Sequence, residues 1–256
     1  MRGYLLVLLI LLFCSTNMIA QNGPSKYYDI QENFLKRTFM GVNAGAAIPF
    51  AAFASKDFYS ATSGYAKIGY NLNVTFRYAF TDYIGITAKY FYSENQFDEQ
   101  SYQNSTNNYY MPRNGNSYKF SSDPWTLKGF MFIPTYILKA QKFNIELGVG
   151  VGMVNSTLPQ NQMVEKYPND SISIYSQNTT NSSNWAFSVE AAIRYKVYKN
   201  VILSLQNNVI ITDQSYQDIY TYINNASGSF YMYPPSNILQ PFRLSHITAG
   251  IGFEFD

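Results

Sequence analysis

The strongest constraint on this chain is a two-residue rhythm that recurs along it. At its end Ile247, Ala249, Ile251, Phe253 and Phe255 are apolar, whereas His246, Thr248, Gly250, Gly252 and Glu254 between them are polar or lack bulk. Successive side chains of a strand point to opposite faces, so such a segment has one greasy face and one wet face. The same pattern places Met40, Val42, Ala44, Ala46 and Ile48 against Gly41, Asn43 and Gly45. It then sets Ile68, Tyr70, Leu72, Val74, Phe76 and Tyr78 against Lys67, Gly69, Asn71, Asn73, Thr75 and Arg77.

Further on, Ile84, Ile86, Ala88, Tyr90 and Tyr92 oppose Gly85, Thr87, Lys89 and Phe91. Phe143 through Met153 alternates against Asn144, Glu146, Gly148, Gly150 and Gly152, and Trp185 through Val197 against Ser188, Glu190, Arg194 and Lys196. Val201, Leu203, Leu205, Val209 and Ile211 oppose Ser204, Gln206, Asn208 and Thr212, with Asn207 an intruder on the apolar face. Residues 125–137 are apolar at both parities and contain Pro134, so their faces stay unassigned.

The connections alternate in length. Tight turns fall at 79–82, 139–142 and 198–200, and long polar stretches at 49–64, 94–124, 155–184 and 213–241. Short turns on one side, long loops on the other and an even strand number are the rule for outer-membrane barrels. The expected fold is all-β: an eight-stranded antiparallel transmembrane up-and-down β-barrel over 37–256, with long extracellular loops. Aromatics fall where two membrane interfaces should lie: Tyr78, Phe80, Tyr83, Phe143, Tyr195, Tyr198, Phe253 and Phe255 low, and Tyr65, Tyr90, Tyr92, Trp125 and Trp185 high.

Composition agrees, with 24 Tyr, 19 Phe and only 13% charged residues. A net charge of +2, dispersed along the chain, is too small to suggest nucleic acid, and no such partner is expected. Residues 1–20 read as a signal peptide: Arg2 is the positive end, Tyr4 to Phe13 the apolar run, and Ala20 precedes the expected cleavage site. Lipidation at Cys14 is the alternative, although bulky Phe13 precedes it. Residues 21–36 are a polar lead-in expected on the periplasmic side.

Gly41-Val42-Asn43-Ala44-Gly45 with Ile48-Pro49, Gly64-Tyr65-Ala66-Lys67-Ile68-Gly69 with Asn71, and the terminal Gly250-Ile251-Gly252-Phe253-Glu254-Phe255 carry a resemblance. The mature chain resembles the small outer-membrane β-barrel proteins of the Bacteroidetes type, related in architecture to the eight-stranded OmpA and OmpX barrels. The resemblance implies a fold and a location in the outer membrane, and no particular activity. Asp256 departs from the pattern, since such chains usually finish on the aromatic itself.

A barrel of this size is filled by its own side chains. Lys67, Arg77, Lys89, Glu146, Glu190, Arg194 and Glu254 are therefore the candidate interior charge network, because unpaired buried charges are very costly. Glu146 and Arg194 should pair across neighbouring strands, with Gly148, Gly150 and Gly152 giving Glu190 and Arg194 room to cross the lumen. A salt-bridged plug and a gated ion path are both compatible with these residues.

No cofactor motif, metal-ligand spacing or nucleophile and base pair emerges, and no enzymatic activity is expected. His246 is the only histidine, and Ser245 beside it should point to the opposite face. The loops set aromatics among amides, a mixture suited to a protein or glycan partner, and the two-residue rhythm continues through Asp218 to Ile223 and Ser229 to Tyr233, so the strands are expected to project as a sheet beyond the bilayer. Three readings remain: a structural or surface-binding barrel in outer-membrane lipid, a narrow pore or transporter for a small solute or lipid, and a soluble β-barrel binding an apolar ligand.

Overall fold

The computed structural model describes residues 37–140 and 143–255. The signal peptide, the lead-in and Asp256 lie outside the described residues. Among the described residues thirteen strands follow in order, beginning with β1 (Thr38–Pro49), β2 (Gly69–Ala79), β3 (Ile84–Asn95), β4 (Ser117–Ser122), β5 (Trp125–Ala140), β6 (Phe143–Leu158) and β7 (Asn161–Lys166). After these come β8 (Ile172–Gln177), β9 (Thr180–Tyr198), β10 (Val201–Ile219), β11 (Thr221–Asn224), β12 (Phe230–Met232) and β13 (Ser236–Phe255). A helix, α1 (Glu99–Asn114), lies between β3 and β4.

Eight of the strands close a barrel in the order β1-β13-β10-β9-β6-β5-β3-β2, all antiparallel. The closure joins the first and last strands in unbroken register from Thr38↔Phe255 to Pro49↔Leu244. Each strand of the wall therefore has a neighbour on both sides, and no edge is left in the ring.

Alternation decides the two faces. Met40, Leu72, Phe132, Leu147, Phe187, Leu203 and Ile251 all point outward and are 42–65% exposed, whereas Arg77, Thr87, Glu146, Arg194 and Gln206 face the lumen and are at most 1% exposed. The outward intruder Asn207 accepts a hydrogen bond from Ser245 Oγ at 2.8 Å on the adjoining strand. The unassigned segment β5 points Trp125, Leu127, Met131, Ile133 and Ile137 inward and Phe130, Phe132, Pro134 and Tyr136 outward. Pro134 has no N–H to give, and the β5–β6 ladder skips positions 133 and 134 there.

The connections 94–124 and 155–184 are not simple loops, which corrects the expectation for them, and within 213–241 strands form where the two-residue rhythm continues. The barrel strands run on beyond the anticipated limits, β10 as far as Ile219 and β13 from Ser236. At the same end β4, β7, β8, β11 and β12 form a second sheet in the order β12-β11-β8-β7-β4. Helix α1 begins where the Asp98 side chain accepts from Ser101 N, and it ends at Gly115 with φ +72°. A carboxylate N-cap and a left-handed glycine C-cap are what delimit a helix of such polar composition. Among the described residues no helix is long and apolar enough to cross a membrane.

Candidate functional site

From the turn end to the loop end, the lumen is filled in three layers. The first is ionic. Arg77 on β2 donates through Nη1 to Glu146 Oε1 at 2.5 Å and through Nη2 to Glu254 Oε1 at 3.2 Å. Arg194 on β9 donates through Nε to the same Glu146 oxygen at 2.7 Å. Its guanidinium lies 3.8 Å from the ring centroid of Phe39, which is fully buried. Two cations and two anions from four strands thus meet in a buried space, where an unpaired charge would be prohibitive.

The second layer is mostly neutral. Asn43 Nδ2 donates to Asn73 Oδ1 at 2.8 Å, Ser204 Oγ donates to Asn43 Oδ1 at 2.5 Å, and Thr75 Oγ1 donates to Asn73 Oδ1 at 3.1 Å. One ion pair belongs to this layer: the Lys89 ammonium contacts the Glu190 carboxylate and also donates to Gln206 Oε1 at 3.0 Å. Asn208 Nδ2 supplies Glu190 with a second donor at 3.0 Å.

The third layer, at the loop end, is apolar. Phe53 from the 3₁₀ turn Ala51–Ala54 drops into the mouth, where its ring centroid lies 4.5 Å from Phe242 and 5.8 Å from Trp125. Phe91, Leu127, Met131, Ile133, Ile210 and Leu244 complete a buried cluster with them. Trp125 Nε1 donates to Gly64 O at 2.9 Å, fastening the first long connection across the opening. Aromatic groups of this size carry most of a core's burial energy.

Six of the seven expected interior charges sit in these layers, and Lys67 does not. Lys67 precedes β2, its side chain is half exposed, and its ammonium lies 3.5 Å from Asp98 at the loop end. The alternating pattern extends back through position 67 in sequence, but the chain joins the ladder only at Gly69. Tyr65 and Trp125 are likewise buried at 3% and 4% exposure, so neither belongs to an outward aromatic girdle. The three glycines of β6 also have another role. A Cβ on Gly148 or Gly150 would fall 2.5–2.6 Å from the Ile133 side chain, and one on Gly152 would fall 1.9 Å from Phe130 O. They make room for the inward side chains of β5 rather than for Glu190 and Arg194.

His246 is buried with its ring centroid 5.3 Å from that of Phe91, whereas Ser245 is turned outward onto Asn207. The two cannot act as base and nucleophile. Among the described residues no group of three or more His, Cys, Asp or Glu is placed to hold a metal ion.

Two carboxylates that the sequence did not single out organise the loop end. Asp98 binds the Lys56 ammonium at 2.5 Å and accepts from Ser101 N and Oγ at 3.2 and 2.8 Å. Burial pushes its pKa upward, but the hydrogen bonds from Lys56 and Ser101 outweigh that and hold it well below the usual carboxylate range. Glu165 on β7 accepts from Asn116 Nδ2 at 2.6 Å, Tyr118 OH at 2.7 Å, Tyr175 OH at 2.7 Å and Tyr167 OH at 3.2 Å. Burial raises its pKa, and the phenol and amide donors more than reverse the effect. One carboxylate therefore bolts β4, β7 and β8 together. A cluster of Tyr and Asn near Glu165 in sequence was the available signal, but only strand pairing brings the donors to one point.

No protein-family model matches this chain, and no curated protein matches it. Among solved structures, it is similar to the outer membrane protein OprG from Pseudomonas aeruginosa, at 13% identity over 89% of this chain and 100% of that one, with a TM-score of 0.48. It is similar to Neisserial surface protein A at 15% identity over 85% and 97% of the two chains, with a TM-score of 0.46. It is also similar to a major outer membrane protein from Thermus thermophilus at 11% identity over 85% and 99%, with a TM-score of 0.45.

Proposed function

We propose that the chain is an integral outer-membrane barrel, closed to solutes, that holds a folded recognition cap at the cell surface. The observation that carries this reading is the second sheet: five strands and a helix are made from the long connections, all at one end of the barrel, while tight turns close the other. Ordering that many loop residues costs conformational entropy, and a barrel serving only as a wall would have no use for it. The continuous apolar exterior supports a lipid surrounding, because a soluble protein does not expose large contiguous apolar area. The lipid of the outer membrane is then the partner of the wall, and a protein or glycan the partner of the cap. The reading assigns the chain no reaction and no cofactor.

The compensated ion pairs at the turn end and the aromatic cluster at the loop end support a plug rather than a pore. Fractionation with gel mobility before and after boiling tests the membrane part. The expected result is a protein in the outer-membrane fraction with a heat-modifiable shift; a soluble periplasmic protein without a shift overturns it.

A further inference from the structure

Between the barrel mouth and the second sheet lies a cavity of about 420 Å³, within the range of small-molecule sites. Its wall combines two kinds of surface. Aromatic rings form one: Trp125, Tyr65 stacked on Phe97 at 5.5 Å, and Tyr102 against Phe120 at 4.4 Å. Neutral hydrogen-bonding groups form the other. Gln240, 2% exposed, spends its Nε2 on the carbonyls of Thr62 and Pro241, and among the described residues its Oε1 meets no donor. Gln177 accepts from Asn161 on Oε1 and keeps Nε2, and Ser176 and Thr221 add hydroxyls. Among the described residues no charged side chain lines the space.

This combination selects a ligand class by elimination. An ion would meet no counter-charge and would lose its hydration without compensation. A wholly apolar molecule would cut off the amides and hydroxyls from water and leave them unpaired, which costs more than the contact gains. A molecule with C–H faces to lie on rings and neutral hydroxyls to meet amides satisfies both surfaces. We infer that the cavity is a binding site for a neutral saccharide, of disaccharide size. The assignment rests on the reading of the cap as a surface-exposed recognition element and supplies its ligand class.

The chain contains an internal reporter. Of its two tryptophans, Trp125 lines the cavity and Trp185 stands on the barrel exterior at 65% exposure. In the W185F variant, folded in detergent micelles, indole fluorescence comes from the cavity alone. The titrants are maltose, cellobiose and lactose as neutral disaccharides, a sulfated heparin disaccharide as the charged control, and a medium-chain fatty alcohol as the apolar control. The inference predicts a saturable change with at least one neutral disaccharide and none with either control. It further predicts binding about tenfold weaker when Thr221→Val removes one hydroxyl, and loss of binding when Ser176→Phe fills the space, with the heat-modifiable shift retained in both. No saturable response to any neutral disaccharide, or a stronger response to either control, overturns it. The titration uses purified protein, so its failure leaves the surface location of the cap standing, and that location is read separately on intact cells.

Discussion

The two ends of the lumen solve one packing problem with opposite chemistry. At the turn end, Arg77, Glu146, Arg194 and Glu254 fill the space with charges that neutralise one another across four strands. At the loop end, Phe53, Phe91, Trp125 and Phe242 fill it with rings. Charges hold their partners by direction and distance, so the ionic end fixes which strands meet and at what register. Rings pack without such demands, so the aromatic end tolerates a connection folding in from outside, as Phe53 does. The difference also separates closure from recognition: among the described residues the ionic end lies beside the tight turns and the ends of β1 and β13, whereas the aromatic end is the floor on which the cap is built.

The largest effect should come from Glu146→Ala, which takes from Arg194 its hydrogen-bonded carboxylate and leaves Arg77 with Glu254 alone. A loss of about 3–5 kcal/mol is expected from the cost of breaking a buried ion pair, read from the midpoint of the heat-modifiable transition or of urea unfolding. Phe242→Ala should cost about 3 kcal/mol by leaving a cavity among Phe53, Trp125 and Leu244, with the ionic end unaffected. Neither Glu146→Gln nor Phe242→Ala alone should make the protein conduct in a planar bilayer, because the other end stays filled. Conductance from either single variant would break the comparison, and conductance from the double variant would sharpen it.

A smaller loss, about 1–2 kcal/mol and confined to the cap, is expected from Glu165→Gln, which weakens the charge-assisted bonds from three tyrosines and Asn116. It should appear as faster proteolysis of the cap with the barrel's heat-modifiable shift unchanged. Glu165 and Asp98 both have pKa values lowered in the folded state. Their contribution is therefore complete at and above the ordinary carboxylate range, and it is lost as the pH falls below that range through the folded values. Limited proteolysis at neutral and at strongly acidic pH should show the cap loosening at the acid end before the barrel does. The smallest effect, about 1 kcal/mol, is expected for Gly115→Ala, whose left-handed backbone disfavours any Cβ.

Wherever a wet face opposed a greasy one, the strand and its orientation were legible, as in β2 and β6. In β5 that contrast disappears because its inward residues Trp125, Leu127, Met131 and Ile133 enter the apolar half of the lumen, and no polar partner marks the parity. Most of the cap escaped for a related reason, although the rhythm through 218–223 and 229–233 pointed to β11 and β12. Its strands are short, they lie among Asn, Ser and Tyr, and their order β12-β11-β8-β7-β4 joins segments from three different connections. Helix α1 carried local signals in Asp98 and Gly115, but Pro112 near its end and its polar composition argued against them. Six charges of the network followed from strand parity; Lys67 was misplaced because parity does not say where a strand begins, and Glu165 was missed because parity does not say which loop strands pair.

The claim that the cap stands outside the cell and the tight turns inside is tested most directly by labelling introduced cysteines on intact cells. The sequence contains a single cysteine, Cys14, in the segment read as the signal peptide. A cysteine in place of Ser227, in the exposed turn between β11 and β12, should react with a membrane-impermeant maleimide on whole cells. One in place of Lys199, in the tight turn between β9 and β10, should react only after lysis. Labelling of the Lys199 position on intact cells, or protection of the Ser227 position there, would contradict the account.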